Sequence, residues 1–268
     1  MHIHFLDPYQ IGGSVLHQTD ARVKLVLGLA FILTTALIPD SLWTLYFLLL
    51  AIVLSLEFLS GVGLDYFLKR STLALPFILA AFPLIFTIPG VSFFTFTFGL
   101  WDFSASIPGL VRFASIALKS WISIQIAILL TATTPFPDIL TAMRALRFPR
   151  LLVMIFGLMW RYLFVFADET MRLLRARAAR SGATGNPEFQ TGGSISWRAR
   201  TAGGLAGNLF VRSLERSERI YLAMLARGYD GEIRSLPQGK MEGSNWFILG
   251  FGGCVLFLVL VLSLIMSI

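Results

Sequence analysis

Five stretches of this chain stay apolar for about the length of a bilayer crossing, and no other feature restricts its fold as strongly. They run from Val23 to Ile38, Leu42 to Leu59, Leu73 toward Ile88, Ile107 to Ala132 and Trp246 to Ile268. Each comes near the ~20 residues a helix needs to cross the hydrocarbon core, where backbone polar groups must be satisfied within the segment. Pro39-Asp40 stops the first run, Gly61 and Gly63 follow the second, and "TTPFPD" follows the fourth. Pro76, Pro83 and Pro89 fall in or just after the third, which predicts a bent or broken helix there. Charged residues make up 14% of the chain, against roughly 25% in soluble domains. The expected fold is an all-α integral membrane protein with about five transmembrane helices. The aromatic stretch "FFTFTFGLWDF" (93–103) suits either a shallow interfacial segment or a short strand.

Lysine and arginine set the orientation. Arg22 and Lys24 place the N-terminus in the cytoplasm, and "DYFLKR" (65–70) returns there, while the connections at 38–41 and 87–106 carry no Lys or Arg. The expected threading has the N-terminus inside and the C-terminus outside. "MHIHFLDPYQ" lacks the basic and apolar regions of a cleavable signal, so it is expected to be retained. Arg112 and Lys119 stand seven apart on one face of the fourth run, with Glu57 and Asp102 as candidate partners; snorkelling with packing is preferred to a conduction pathway.

Sixteen of the 22 basic residues fall between Arg144 and Lys240. Flanked by spans and interleaved with Asp168, Glu169, Glu215 and Glu218, this block reads as a lipid-adjacent cytoplasmic module, with no nucleic-acid partner. The expected division is 1–134 for the membrane core, 135–243 for cytoplasmic coupling helices and 244–268 for the last span. Three helices are expected in the block: a short one bracketed by prolines in "PFPDILTAMRALRFPR", a long one from Leu151 to Arg180, and a second long one from Trp197 to Arg227. The first long helix is apolar in "LLVMIFGLMWRYLFVF" and charged in "ADETMRLLRARAAR". On the second, Glu215 and Arg219 have the spacing of a helical ion pair, and Gly203, Gly204 and Gly207 would admit a close helix neighbour.

The two long helices end alike, at Ala179-Arg180-Ser181 and Ala226-Arg227-Gly228. Small residues on each side keep the tip narrow. An arginine there could enter a groove on another protein and make bidentate bonds to a carboxylate or to carbonyls. An arginine at a helix C-terminus also suits the helix dipole, so one such tip would be ordinary; two suggest two plugs for two sockets.

On these residues, together with "SVLHQTDARVKLVLGLAFI", "TTPFPDILTAMRALRFPRLLVMIFGLMWRYLFVFADE" and "NLFVRSLERSERIYLAMLARGYDG", the chain resembles the transmembrane T component of energy-coupling factor transporters, of the CbiQ type found in cobalt and nickel uptake. The resemblance spans nearly the whole chain. It implies two crossed coupling helices tipped by Ala-Arg-Gly-like signatures, matched fully at Ala226, Arg227 and Gly228 and with Ser181 in the glycine place of the first. It further implies a non-catalytic subunit of a prokaryotic cell membrane whose tips dock on two cytoplasmic P-loop ATPase subunits and drive a membrane-embedded substrate-binding subunit. Cobalt is the expected cargo, which would serve cobalamin biosynthesis, with nickel close behind. A shared vitamin-uptake module is the alternative, and a self-sufficient porter a more distant one.

The chain contains no G-x-x-x-x-G-K-[ST] phosphate loop, so the ATPase is expected elsewhere. His2, His4 and His17 are the only histidines and no Cys/His/carboxylate cluster accompanies them, so neither a metal site nor a cofactor is expected. The terminal amine with His2 could take Ni²⁺ or Co²⁺, but an unremarkable terminus is the preferred reading. Cys254, the single cysteine, is read as a small apolar filler.

Overall fold

A computed structural model describes residues 8–90, 92–98, 101–180, 194–231 and 241–267. The chain divides into two compact units, one of Asp7–Leu146 with Gln238–Ile268, the other of Met1–Leu6 with Arg147–Pro237.

The first unit opens with a short helix, α1 (Val15–Gln18), then α2 (Ala21–Leu37). Asp20 caps α2 by accepting from the Arg22 amide at 2.8 Å, and Pro39 follows its end. α3 (Trp43–Ser60) stops at Gly61, whose φ of +70° is the left-handed turn that glycine adopts without a Cβ clash. The third apolar run is broken as its prolines require. It comprises α4 (Leu64–Ser71), a 3-10 turn (Thr72–Ala74), α5 (Leu75–Ala80) and α6 (Leu84–Thr87), with Pro76 in the first turn of α5 and Pro83 capping α6.

The aromatic stretch forms an antiparallel hairpin, β1 (Ser92–Phe98) with β2 (Trp101–Ser106), in which Phe98 faces Trp101 and Phe96 faces Phe103. It is a small exception in a helical protein. Ser106 then caps α7 (Ile107–Thr133) through the Gly109 amide at 3.1 Å. α8 (Phe136–Ala145) starts at a proline pair and packs on α2. After the second unit the chain returns as α11 (Gly243–Ser267), which also packs on α2.

α2, α3, α7 and α11 enclose the core, where Tyr46, Leu49, Val53, Ile122 and Val259 are all but inaccessible. The outer faces are apolar too: Leu33, Phe47, Phe58, Phe247, Phe257 and Ile265 all point outward. That two-sided apolarity belongs to a bundle solvated by lipid. Among the described residues, five helical segments are long and apolar enough to cross a membrane: 43–60, 64–87, 107–133, 150–180 and 243–266. α2, at 17 residues, is slightly shorter, and 150–180 is the long helix that the sequence places in the cytoplasmic block.

The bundle has two chemically different ends. At one, the free carbonyls of α7 are taken by the Gln10 amide, which bonds Ala132 O at 2.9 Å, and by Lys24 Nζ, which bonds Thr133 O at 2.9 Å. The Tyr66 hydroxyl donates to Pro8 O here at 2.8 Å, and the Asp20 amide donates to Asn245 Oδ1 at 3.3 Å. The N-terminal segment, the end of α7 and the start of α11 therefore share this end. The other end holds the turn between α2 and α3, the hairpin and the start of α7.

The second unit is a pair of long helices, α9 (Arg150–Arg180) and α10 (Ile195–Leu225). They run antiparallel and touch sparsely. Arg177 lies over the Trp197 ring, Glu169 meets Arg212 and Arg216, and the Tyr229 hydroxyl reaches Met154 Sδ. At the entry to this unit Arg147 has φ +61°, a left-handed residue that ends α8 where glycine would be easier.

Candidate functional site

The candidate site is the pair of arginine tips. α10 ends in a Schellman motif: the Tyr229 amide bonds Met224 O and the Gly228 amide bonds Leu225 O, both at 3.0 Å. Gly228 takes φ +78°, as its place past the helix demands. Arg227 is thus the last residue before the chain reverses, and its backbone is fixed by four hydrogen bonds around the turn. Its side chain is exposed, as are Ala226 and Gly228. Tyr229 anchors the turn to the base of α9 through Met154.

The other tip is the end of α9. Ala179 and Arg180 are exposed, while Ser181 lies outside the described residues, as does the glycine-rich loop that follows. Among the described residues no ion pair reaches Arg180 or Arg227. The tips are not neighbours. Tyr229 ties Arg227 close to Met154, and Met154 lies twenty-five residues along α9 from Ala179, or roughly 40 Å at the helical rise. A single groove could not receive both tips at once.

What holds the arms in register was not evident from the sequence. Glu169 of α9 accepts from Arg212 Nη1 at 3.3 Å and faces Arg216 Nη2 at 3.8 Å. The expected pair of Glu215 with Arg219 does not form: among the described residues Glu215 makes no ion pair. A carboxylate facing two guanidinium groups across a sparse interface gains more than one solvated pair on a single helix face. Around Gly203, Gly204 and Gly207 no described atom lies within 4 Å of where a Cβ would stand, so these glycines admit no close neighbour within this unit.

The charges on the spans are engaged in packing. Lys119 Nζ bonds Asp40 Oδ1 at 2.9 Å, and Arg112 Nε stands 3.6 Å from Asp40 Oδ2. This corrects the sequence expectation of Glu57 or Asp102 as partner; the Asp102 side chain lies outside the described residues. Glu57, 2% exposed in α3, faces the Gln125 amide; with its O and N assigned from their neighbours, Gln125 donates to Glu57 Oε1 at 2.9 Å and accepts from Trp121 Nε1 at 3.3 Å. Arg161 stands over the Tyr162 ring on its own helix.

Among the described residues no group of three or more His, Cys, Asp or Glu side chains is placed to hold a metal ion. His17 bonds Ser14 Oγ through Nδ1 at 2.7 Å and Gln10 O through Nε2 at 3.0 Å, so both its nitrogens hold the loop before α2. His2 and His4 lie outside the described residues. Cys254 faces outward from α11.

A multi-pass apolar helical bundle together with an antiparallel pair of long, arginine-rich helices defines a membrane protein with a charged helical module. Residues 12–238 match the family model of the CbiQ cobalt transport protein. The energy-coupling factor transporter transmembrane protein EcfT of Lactococcus lactis subsp. cremoris is 26% identical over 83% of this chain and 83% of its own. The cobalt transport protein CbiQ of Rhodobacter capsulatus is 27% identical over 59% of this chain and 61% of its own. A putative fused cobalt transport protein CbiMQ of Methanocorpusculum labreanum is 27% identical over 88% of this chain and 38% of that longer protein. The chain belongs to the CbiQ family, as a transmembrane T component of the energy-coupling factor type.

Proposed function

We propose that this protein transmits ATP-driven motion from two cytoplasmic P-loop ATPase subunits to a membrane-embedded substrate-binding subunit, with Ala179, Arg180, Ser181, Ala226, Arg227 and Gly228 as the contacts to the ATPases. The observation that carries this reading is the pair of exposed arginine tips without an ion-pair partner among the described residues, set roughly 40 Å apart at opposite ends of crossed arms. An arginine that enters a groove and bonds a carboxylate there gains about 1.5–3 kcal/mol. Two such bonds would fasten both arms without a broad interface.

The arms belong in the cytoplasm by a counting argument. The chain leaves the bundle after α8 and re-enters at α11 beside Asp20, at the cation-rich end that also carries Arg22, Lys24, Lys69 and Arg70. Any crossing by α9 would need a return crossing by α10. α10 carries five arginines and is absent from the apolar segments long enough to span. The reading is therefore five crossings, by α2, α3, the broken α4–α6, α7 and α11, with the N-terminus inside, the C-terminus outside and 135–243 as the coupling region.

Cobalt is the proposed cargo, nickel the next. The CbiQ family match supports a metal cargo, although EcfT relatives are 25–30% identical and the CbiQ relative 27%. A self-sufficient porter finds no support in the packing, because Asp40 and Gln125 already engage Lys119, Arg112 and Glu57. Replacing Arg180 and Arg227 together by Glu should abolish copurification of the ATPase subunits while membrane insertion persists. Full recovery of the complex from that double variant would refute the proposal.

A further inference from the structure

A half-open apolar cavity of about 370 Å³ lies between α2, α3, α7 and α11, within the bundle unit. Leu27, Gly28, Leu56, Leu130, Phe251 and Gly252 help to line it. An apolar cavity of ~150 Å³ is enough to stay dry and hold benzene; this one is more than twice that size and opens on a surface that faces lipid. Two glycines shape it. A Cβ on Gly28 would meet Ile126 and Leu130 at ordinary contact distances of 3.8 and 4.0 Å, so a methyl would fit there and a larger side chain would extend into the cavity. A Cβ on Gly252 would stand 2.9 Å from Leu27, so the missing side chain lets Leu27 lie flat along the wall.

One charge belongs to this cavity. Lys24 lines it at the cation-rich end and gives one hydrogen bond, to Thr133 O. An ammonium has three donors, and among the described residues no carboxylate lies within 4 Å of this one. The nearest acids, Asp20 and Asp138, act on it from farther away. Asp20 is already engaged, capping α2 and standing 3.9 Å from Arg22. An oily slot closed at one end by a cation with no carboxylate in contact, at the cation-rich end of the bundle, fits one kind of occupant. We infer that the cavity holds an acyl chain of an anionic phospholipid from the surrounding leaflet, its phosphate drawn to Lys24.

Native mass spectrometry of the complex in detergent, with phosphatidylglycerol and phosphatidylcholine titrated in competition, tests this directly. The wild type should retain the anionic lipid roughly fivefold more than the neutral one, the scale of one lysine near a membrane surface. Lys24→Gln should remove the preference, and Gly28→Leu, which fills the slot, should displace the lipid. Equal retention of both lipids by the wild type would overturn the inference. Because Gly28→Leu could disturb helix packing, a phosphatidylglycerol carrying an acyl-chain diazirine gives an independent reading on the unaltered protein. Adducts are expected on residues 23–31 and 248–256. Adducts confined to other segments, or a protein helix cross-linked in the slot to the exclusion of lipid, would overturn it.

Discussion

Asp40 lies in the turn between α2 and α3, yet it holds two cations from α7, and its backbone carbonyl also takes the Ser115 hydroxyl. Tyr46, wholly buried, bonds Ile38 O and Pro39 O from the other side, so one polar knot fastens this turn. Asp40→Asn leaves Lys119, whose side chain is only 20% exposed, without its carboxylate, and should lower stability by about 1.5–3 kcal/mol. Adding Lys119→Met should recover most of that loss, because the cation stranded without its partner is then gone. Thermal melting of the detergent-solubilised variants checks both, and failure of the double variant to recover would show that the knot matters for more than charge. Arg147 offers the opposite case. At φ +61° a non-glycine residue costs about 1–2 kcal/mol, so Arg147→Gly should raise the melting temperature slightly.

At the scale of elements, the crossed arms depend on few contacts. Ion pairs exposed to solvent contribute about 0–1 kcal/mol each, so the Glu169 bridge should weaken with salt. Spin labels at Ala179 and Ala226 should report a distance near roughly 40 Å. Glu169→Gln should broaden that distribution, and an unchanged width would remove Glu169 from the account. This is also where legibility in the sequence divides. The Gly61 and Gly228 stops, the proline-broken third run and the two arginine tips could be read directly, because each is a local signal with a local cause. The Asp40 knot could not, since its partners lie up to 79 residues away and depend on how α2 and α7 register. Glu169 was hidden for the same reason, since Arg212 lies 43 residues further along the chain on another helix. The hairpin remained ambiguous because alternating Phe and Thr also suits an interfacial segment.

For the whole molecule, the topology turns on the parity of crossings. Because the chain re-enters the bundle at the end it leaves, α9 could cross only if α10 crossed back, so the count of crossings is odd and the termini lie on opposite sides of the membrane. A fluorescent protein fused to the C-terminus should be dark and alkaline phosphatase fused there active, with the reverse at the N-terminus; the same outcome at both ends would contradict an odd number of crossings. The central claim, that the tips are the grips of external ATPases, is tested most directly by site-specific cross-linking. With Cys254 replaced by alanine, Ala179→Cys and Ala226→Cys should each cross-link to a cysteine in the groove of one ATPase subunit, and both cross-links should form in the same assembled complex. A complex that assembles and hydrolyses ATP while neither tip cross-links would contradict the account.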